Sequence, residues 1–384
     1  MRVLIVGGGI AGVTLAAFLE KAGIEYTLVE LQPSYLRKGY LIGIWAHGRK
    51  VLKHLQLHTR FDELSTSLDA LTTKDVNGSV LYNINLKEAF PNISRPFSSI
   101  LRSDLHQLLL SSLTQPIQFG KKVTSIVQTK NEVTVTFLDG AVAHYDFVIG
   151  ADGVNSVVRT QTSKKDERAF ENWRVWYTFI PHTFDTPHTV SEYVGAAELA
   201  VTFSSPTSTT LWLDAPAIPG TIDAESGRIE RLQKYFEDEH LLLPGALRGL
   251  KDSEVTVSDI VEVKTKEIIR GRCILIGDAA HALGPHAGLG GSLAMEDAYE
   301  LSLTLQKIAG DTANTESHLR AYEKQRNKRI GTARLVSHIV RFGTFVKNPV
   351  VRVCISYGMR VVPHAVFIAL YGSLIANCED IQKS

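Results

Sequence analysis

Three uninterrupted apolar runs, each ending at a glycine, stand out along the chain. They read RVLIVG at 2–7, FVIG at 147–150 and CILIG at 273–277. A short apolar run without polar alternation is typical of a strand that is buried on both faces, as in a parallel sheet. The first run is followed by a glycine turn, an apolar helical stretch and a second strand, YTLVE at 26–30. This order predicts a strand, helix, strand unit at the start of the chain.

The pattern changes between residues 165 and 265. Segments such as VWYTFI, LAVTF and TTLWL carry β-branched and aromatic residues and are separated by Pro, Ser, Gly and Thr. They predict a mostly antiparallel sheet. Earlier, LTTKDVNGSVLYNI predicts a hairpin, because Asn77 and Gly78 suit the positive φ angles of a tight turn. Residues 291–308, 316–341 and the last 30 predict helices.

These segments predict an α/β chain of three parts, the first of which is discontinuous. The chain leaves a nucleotide-binding domain, forms a substrate-binding domain and then returns. A C-terminal helical segment covers the pocket. The predicted bounds are 1–75, 98–164 and 266–315 for the nucleotide-binding domain, 76–97 and 165–265 for the substrate-binding domain, and 316–384 for the helical segment.

Composition excludes several classes of function. Lys and Arg number 41 and Asp and Glu 40, a net charge of +1, so nucleic acid is not an expected partner. Cys273, Cys354 and Cys378 lack the spacing of a metal site and predict reduced thiols. The first strand does not have the pattern of a signal peptide, and the apolar stretch 361–376 is shorter than the roughly 20 residues that span a bilayer. We expect a cytoplasmic monomer or weak dimer with no metal and no transmembrane segment.

The turn after the first strand has the spacing of a dinucleotide-binding loop. Gly7, Gly9 and Gly12 form G-x-G-x-x-G, where backbone N–H groups and the positive end of a helix can approach a pyrophosphate. Glu30 ends the next strand, and a carboxylate there accepts hydrogen bonds from ribose hydroxyls. The acidic residue favours FAD or NAD over NADP at this loop. The alternative is a glycine turn with a structural role only.

Two later motifs resemble those of a known family. DFVIGADGVNSVVR at 146–159 resembles the DG motif of class A flavoprotein aromatic monooxygenases. GDAAH at 277–281, followed by Pro285, Gly288, Gly290 and the pair Glu296-Asp297, resembles their GD motif. Together with the glycine loop, the resemblance covers residues 1–330 in three ordered motifs. It implies a para-hydroxybenzoate-hydroxylase-like fold, in which a Rossmann-like FAD-binding domain carries an inserted, mostly antiparallel substrate sheet.

The resemblance also implies the chemistry. Noncovalent FAD is reduced by NADPH or NADH and reacts with O2, and the flavin C4a-hydroperoxide then hydroxylates an aromatic or polycyclic polyketide-like small molecule. The protein excludes water and supplies no nucleophile. The predicted cofactor contacts are Gly7, Gly9, Gly12, Glu30, Arg37, Gly43, Arg102, Asp152, Asp278, Pro285, Gly288, Gly290 and Gly291.

The residue types suit these contacts. Asp278 follows a buried strand, where its carboxylate can bind ribityl hydroxyls or, alternatively, cap the next helix. Gly288–Gly291 precede a helix whose free N–H groups would stabilise a reduced, anionic flavin. Arg102 contacts the phosphates or the flavin, unless it is merely solvated. Asp152 fixes the turn of its motif and organises the approach of the nicotinamide, or acts as a base.

A further stretch is similar to one branch of the family. LRKGYLIGIWAHG at 36–48 is similar to the G-Y-x-I-D-F-W-G stretch of tetracycline-inactivating monooxygenases. The stretch follows the ribose-binding strand closely, so we expect Arg37 and Gly43 to lie beside the flavin. The similarity adds antibiotic inactivation to the candidate activities. The matching residues are Gly39, Tyr40, Ile42, Trp45 and Gly48, whereas Gly43, Ile44 and Ala46 replace Asp, Phe and Gly.

Substrate contacts are predicted from aromatic residues and one histidine. Trp45, Tyr193, Phe203 and Trp212 can point into an apolar pocket, although aromatic residues on strands also form plain core. His286, between Pro285 and Gly288, is a weak catalytic candidate as a proton donor or substrate contact; the alternative is a histidine bonded to loop backbone. His281 is predicted to be structural.

Three other functions share this type of domain. WRVWYTFIP at 173–181 partly matches the Trp-x-Trp-x-Ile-Pro signature of flavin-dependent halogenases, but its spacing differs. A reductase or oxidase of prenyl chains would incorporate no oxygen. A non-enzymatic binder, such as a Rab GDP-dissociation inhibitor, has a related fold, but the intact GD motif opposes it. We predict the monooxygenase.

Overall fold

The computed structural model describes residues 1–35, 40–163, 167–183, 185–195, 198–236, 243–344, 358 and 363–375. The strands are β1 (Arg2–Val6), β2 (Glu25–Val29), β3 (Leu41–Trp45), β4 (Thr66–Leu68), β5 (Ala70–Asp75), β6 (Val80–Asn85), β7 (Phe97–Leu101), β8 (Val123–Gln128), β9 (Val133–Phe137), β10 (Val142–Tyr145), β11 (Phe147–Gly150), β12 (Arg168–Ile180), β13 (Thr189–Val194), β14 (Leu199–Ser204), β15 (Thr209–Pro216), β16 (Val255–Val263), β17 (Ile269–Arg270) and β18 (Cys273–Leu275). The helices are α1 (Ile10–Lys21), α2 (Ala46–His54), α3 (His58–Leu64), α4 (Leu86–Ala89), α5 (Arg102–Leu110), α6 (Val157–Thr162), α7 (Arg228–Phe236), α8 (Leu243–Ala246), α9 (Asp278–His281), α10 (Gly290–Gly310), α11 (Thr315–Thr344) and α12 (Pro363–Ile375).

The three apolar runs lie side by side in a five-stranded sheet. Its order is β17-β18-β11-β1-β2, and every pair is parallel except the edge pair of β17 and β18. The side chains of β1, β11 and β18 are buried almost throughout, which explains why these runs show no polar alternation. Because parallel strands end at the same edge, the glycine loop after β1 lies next to the DG motif after β11.

The β-branched and aromatic segments form a seven-stranded sheet in the order β16-β12-β15-β14-β13-β5-β6. All of its pairs are antiparallel except β13 with β5, so the predicted sheet type is confirmed. Strand β5 belongs to this sheet, although the predicted boundary at residue 75 put it in the nucleotide-binding domain. It pairs with β13, for example Leu71 opposite Val190, and a partner so distant in sequence leaves no local signal.

The two faces of the seven-stranded sheet have different neighbours. The inner face carries Trp212 and Phe203 and shares a core with Trp45. The outer face carries Leu211 and Leu213, and it packs against α7. Alternation along a strand puts residues of even and odd number on opposite faces, so β15 presents Trp212 inward and its immediate neighbours outward.

Two smaller sheets and the late helices complete the fold. The sheets have the orders β3-β7-β4 and β10-β9-β8. Helix α11 packs against α10 and the turn Pro285–Ala287, and α12 packs against α11, α4 and β6. No helix in the described ranges has the length and apolar character needed to cross a membrane.

Candidate active site

A continuous cleft of about 690 Å³ follows the carboxyl ends of the parallel strands and reaches the inner face of the seven-stranded sheet. This volume lies within the range of ligand sites in proteins. Gly12 is not on the cleft wall but packs directly behind the loop, and Arg37 lies outside the described residues. The other predicted cofactor contacts all line the cleft: Gly7, Gly9, Glu30, Gly43, Arg102, Asp152, Asp278, Pro285, Gly288, Gly290 and Gly291.

The glycine loop depends on close backbone approaches. Gly7 has a φ of +107°, and a Cβ on it would lie 2.5 Å from the carbonyl oxygen of Ala151. A Cβ on Gly12 would lie 1.9 Å from the carbonyl oxygen of Gly7, so α1 packs on the loop only with glycine there. Apart from its chain neighbours, a Cβ on Gly9 would meet no atom of the described residues within 4 Å. Packing therefore does not require glycine at position 9, whereas a ligand that approaches the backbone would.

Glu30 lies on the cleft wall and also braces the loop. Its Oε2 accepts a hydrogen bond from the N–H of Gly8, and its Oε1 accepts one from the N–H of Gln32, both at 2.8 Å. A carboxylate has about four acceptor positions. The two backbone bonds therefore leave Glu30 able to accept from ribose hydroxyls as well.

Asp152, in the DG motif, holds the start of α6. Its Oδ2 accepts from the N–H groups of Val157 and Val158 at 2.7 and 3.3 Å. Burial raises the pKa of Asp152, and its Oδ1 is buried without a hydrogen-bond donor among the described residues. Arg159 of the same motif is 1% exposed and donates to the carbonyl of Ala279, which ties the DG motif to the GD motif.

Asp278 begins α9 and faces the cleft. It is accessible from the cleft while protein surrounds it on the other sides, and this burial raises its pKa. The positive charge of Arg102 acts in the opposite direction. Arg102 begins α5, and its N–H donates to the carbonyl of Tyr40. A carboxylate and a guanidinium thus lie on the walls of one cleft.

The turn before Asp278 is fixed by a buried charge network around Asp297. The GD motif includes this residue, but its bonds to Gly277 and Arg326 were not predicted from the sequence. Asp297 accepts from the N–H of Gly277 at 2.8 Å, lies 2.5 Å from Nε2 of His281 and accepts from Nε of Arg326 at 2.7 Å. Burial alone would raise its pKa, but the charges of His281 and Arg326 outweigh burial and hold it at about 2. The structural role predicted for His281 agrees with this geometry.

The loop after the GD motif leads into the longest cleft-facing helix. Gly288 adopts a φ of +62°, and Gly290, Gly291 and Ala294 in the first turn of α10 line the cleft. No side chain among the described residues caps this end of the helix. Its first N–H groups and the positive end of the helix dipole are therefore directed at the cleft, where they suit an anionic group.

An aromatic wall closes the cleft at the seven-stranded sheet. Tyr40, Tyr177 and Trp212 line it. The rings of Tyr40 and Tyr177 are stacked with centroids 4.8 Å apart, and Trp212 packs edge-on to Tyr177 at 5.1 Å. Tyr177 was not among the predicted substrate contacts, although it lies on β12 directly opposite Trp212. Only the register of the two strands brings this pair together.

The other predicted substrate contacts lie away from the cleft wall. Trp45 is buried, donates from Nε1 to the carbonyl of Ala287 at 3.1 Å and supports the loop from behind. Phe203 packs behind Trp212, with ring centroids 5.0 Å apart. The prediction for Tyr193 is wrong: alternation puts it on the outer face, where its hydroxyl donates to Asp185 at 2.9 Å.

His286 belongs to the loop, but its side chain is buried against the sheet. Its Nε2 lies 3.4 Å from the carboxylate of Asp214, and the two side chains are 3% and 1% exposed. The flanking residues Pro285 and Gly288 line the cleft. This geometry favours a role in anchoring the loop over the predicted role as proton donor.

Comparisons with known proteins agree with this site. A family model described as an FAD binding domain matches residues 1–334. A flavin-dependent monooxygenase from an unknown prokaryotic organism is 28% identical over 327 residues, which cover 81% of this chain and 82% of the relative.

Two solved structures share the fold. HpxO of Klebsiella pneumoniae, complexed with FAD and uric acid, matches with a TM-score of 0.84 and 23% identity, over 99% of this chain and 96% of the other. The tetracycline destructase Tet(55) matches with a TM-score of 0.72 and 24% identity, over 88% of both chains. The predicted fold class, FAD as cofactor and the FAD-dependent monooxygenase class are confirmed. The chain belongs to the FAD-binding-domain family, as its three ordered motifs indicate.

Proposed function

We propose that this FAD-dependent monooxygenase uses NAD(P)H and O2 to hydroxylate a small planar aromatic substrate. The observation that carries the proposal is the continuity of the cleft. The glycine loop, Glu30 and Asp278 line one part of it, and the stacked rings of Tyr40 and Tyr177 line another. A dinucleotide and an aromatic substrate would therefore lie in one enclosed space.

The residues on the cleft wall fit FAD. Gly9 and Gly290 have open space where a Cβ would be, and they leave room for phosphates and for the flavin edge. Glu30 would bind the ribose, Asp278 the ribityl hydroxyls, and the start of α10 the anionic side of the ring. Bound FAD supplies hydride acceptance and oxygen activation. The chain positions the substrate and excludes water.

The aromatic wall supports a planar substrate. Trp212 and Tyr177 offer ring faces and edges at right angles to each other, and aromatic pairs of this kind contribute about 0.5–1.5 kcal/mol beyond area burial. Gly43 stands where tetracycline-inactivating enzymes have Asp, and a Cβ on it would lie 2.2 Å from the ring of Phe97. The wall here thus differs from that branch, which favours a compact aromatic compound over a tetracycline.

We also propose a separate role for each part of the chain. The lobe of the five-stranded sheet binds FAD, and the seven-stranded sheet binds substrate. The C-terminal helices were predicted to cover the pocket, but none of their described residues lines the cleft. We propose instead that they support the loop from behind, since α11 packs against Pro285–Ala287 and Tyr371 of α12 packs on Trp45 at a centroid distance of 4.7 Å. Asp152 organises the approach of the nicotinamide. We also propose a monomer or weak dimer with a cytoplasmic location.

The test is a screen of the FAD-loaded protein for substrate-stimulated oxidation of NADPH and of NADH. Phenols, anthranilates, quinolones and polycyclic polyketides form the panel. For the best substrate, Trp212→Leu should raise KM about tenfold through lost ring contacts and increase the hydrogen peroxide formed per NAD(P)H.

The matched control is Trp176→Leu, on the outer face of the same sheet, which should leave both values near those of the wild type. Equal effects of the two substitutions would contradict the assignment of the substrate wall. Halide-dependent product formation would favour the halogenase, and reduction of a prenyl chain would favour the reductase.

A further inference from the structure

The middle glycine of the cofactor loop, Gly8, is held by side chains at both its N–H and its carbonyl. The N–H donates to Oε2 of Glu30 at 2.8 Å, and the carbonyl oxygen lies 2.6 Å from Nε2 of His106. A carbonyl oxygen can only accept, so Nε2 of His106 carries the hydrogen. His106 lies on α5, 98 residues further along the chain, and is 8% exposed.

The His106 ring is held in one orientation. The ring of Tyr35 packs edge-on against it with centroids 4.2 Å apart. Burial lowers the pKa of His106, which favours a neutral ring with a single N–H. Residues four apart share one face of a helix, so Arg102 and His106 project from the same side of α5. The first lines the cleft and the second reaches the loop beside it.

Tyr35 also explains why position 8 is glycine. Gly8 does not have a positive φ angle, so backbone conformation does not require glycine there. A Cβ on Gly8 would lie 2.3 Å from the hydroxyl oxygen of Tyr35 and 3.2 Å from Oε2 of Glu30. The space beside Gly8 is filled by Tyr35, which packs on His106, and by Glu30, which accepts from its N–H.

The hydrogen bond from His106 sets the direction of an N–H group that it does not touch. The carbonyl of Gly8 and the N–H of Gly9 belong to one planar trans peptide, in which the two groups point in opposite directions. Since the carbonyl is directed at His106, the N–H of Gly9 points the other way, and Gly9 lies on the cleft wall.

We infer that His106 is a positioning residue of the FAD site, which holds the Gly8 carbonyl so that the Gly9 N–H is presented to the pyrophosphate. Without this bond, the peptide could rotate and place a carbonyl oxygen where the phosphate oxygens of bound FAD would lie. The inference depends on FAD binding and not on the substrate, so a failed substrate screen leaves it standing.

Three variants of His106 test the inference. The amide nitrogen of Gln is as many bonds from Cβ as Nε2 of His, so His106→Gln retains the donor. The amide nitrogen of Asn takes the place of Nδ1 and does not reach Gly8, so His106→Asn is a polar control. His106→Leu removes the donor. FAD is removed, and its Kd is measured by quenching of flavin fluorescence on titration with protein.

We expect Kd to rise about tenfold in the Leu and Asn variants, equivalent to about 1.4 kcal/mol, and to stay within about threefold of the wild type in the Gln variant. Amide hydrogen exchange of the loop in the FAD-free protein should quicken in Leu and Asn and be restored in Gln. Unchanged FAD affinity in all three variants would overturn the inference. So would equal weakening in all three with a matching fall in urea stability, because His106 would then support folding alone.

Discussion

Asp297→Asn tests how the C-terminal helices support the cofactor site. Asp297 bonds to Gly277, His281 and Arg326 at once. In Asn an NH2 group replaces one of the two carboxylate oxygens. Whichever way the amide is turned, this NH2 group faces a hydrogen-bond donor, either the N–H of Gly277 or the guanidinium of Arg326. Arg326, 3% exposed, also loses its nearest counter-charge. The variant therefore leaves a buried cation and a donor conflict beside the GD motif.

The loss of stability can be estimated in two ways. Breaking a buried ion pair by removing one partner costs about 3–5 kcal/mol. Glu296 remains 3.6 Å from Arg326, which points to the lower end. Separately, a carboxyl whose pKa falls from its usual value to about 2 on folding contributes about 2–3 kcal/mol at neutral pH. Both estimates lead us to expect a loss of about 3 kcal/mol.

Urea unfolding, followed by tryptophan fluorescence with and without saturating FAD, measures this loss. Asp311→Asn is the matched control, since Asp311 pairs with His318 at the surface, where its side chain is 44% exposed, and should leave the urea midpoint close to that of the wild type. FAD affinity should also fall in Asp297→Asn, because Gly277 precedes Asp278. An Asp297→Asn protein with the urea midpoint and FAD affinity of the control would refute the reasoning.

Three further substitutions test two residues of the cleft wall and one buried residue of α2, His47. Asp278→Ala should weaken FAD binding at least about tenfold in fluorescence titrations, because it removes hydrogen bonds of roughly 1 kcal/mol each; unchanged affinity in the folded variant would count against the ribityl contact. Gly43→Asp should lower urea stability by about 1–3 kcal/mol, because its Cβ would lie 2.2 Å from the ring of Phe97; a wild-type urea midpoint would show that the ring yields freely. Burial lowers the pKa of His47 to about 4, so the unfolded state takes up the proton first as pH falls. The free energy of unfolding should therefore drop by about 3 kcal/mol from pH 7 to 4, and His47→Leu should lack this part of the drop in urea titrations.

The cofactor half of the site was predictable because its signals are local. Each of the three motifs begins directly after an apolar run, and parallel strands bring such turns to one edge of a sheet. Most of the predicted contacts therefore line the cleft. The role of Arg326 was not predictable, because its partner Asp297 is 29 residues away and no periodicity links the two.

The substrate half depends on register, which the sequence does not contain. Trp212 and Tyr193 are both aromatic residues on short apolar strands, yet pairing puts the first inward and the second outward. A shift of one residue would exchange the two faces. Strand β5 was predicted to belong to the nucleotide-binding domain for a similar reason. Its pairing with β13 joins segments that are distant in sequence.

Oxygen-isotope labelling tests the central claim most directly. The FAD-loaded protein is incubated with NAD(P)H and the best substrate from the screen under ¹⁸O2, and the product is analysed by mass spectrometry. The proposed function predicts one ¹⁸O atom per product molecule, with one NAD(P)H consumed for each. A product that contains no ¹⁸O, with all O2 recovered as hydrogen peroxide, would contradict it.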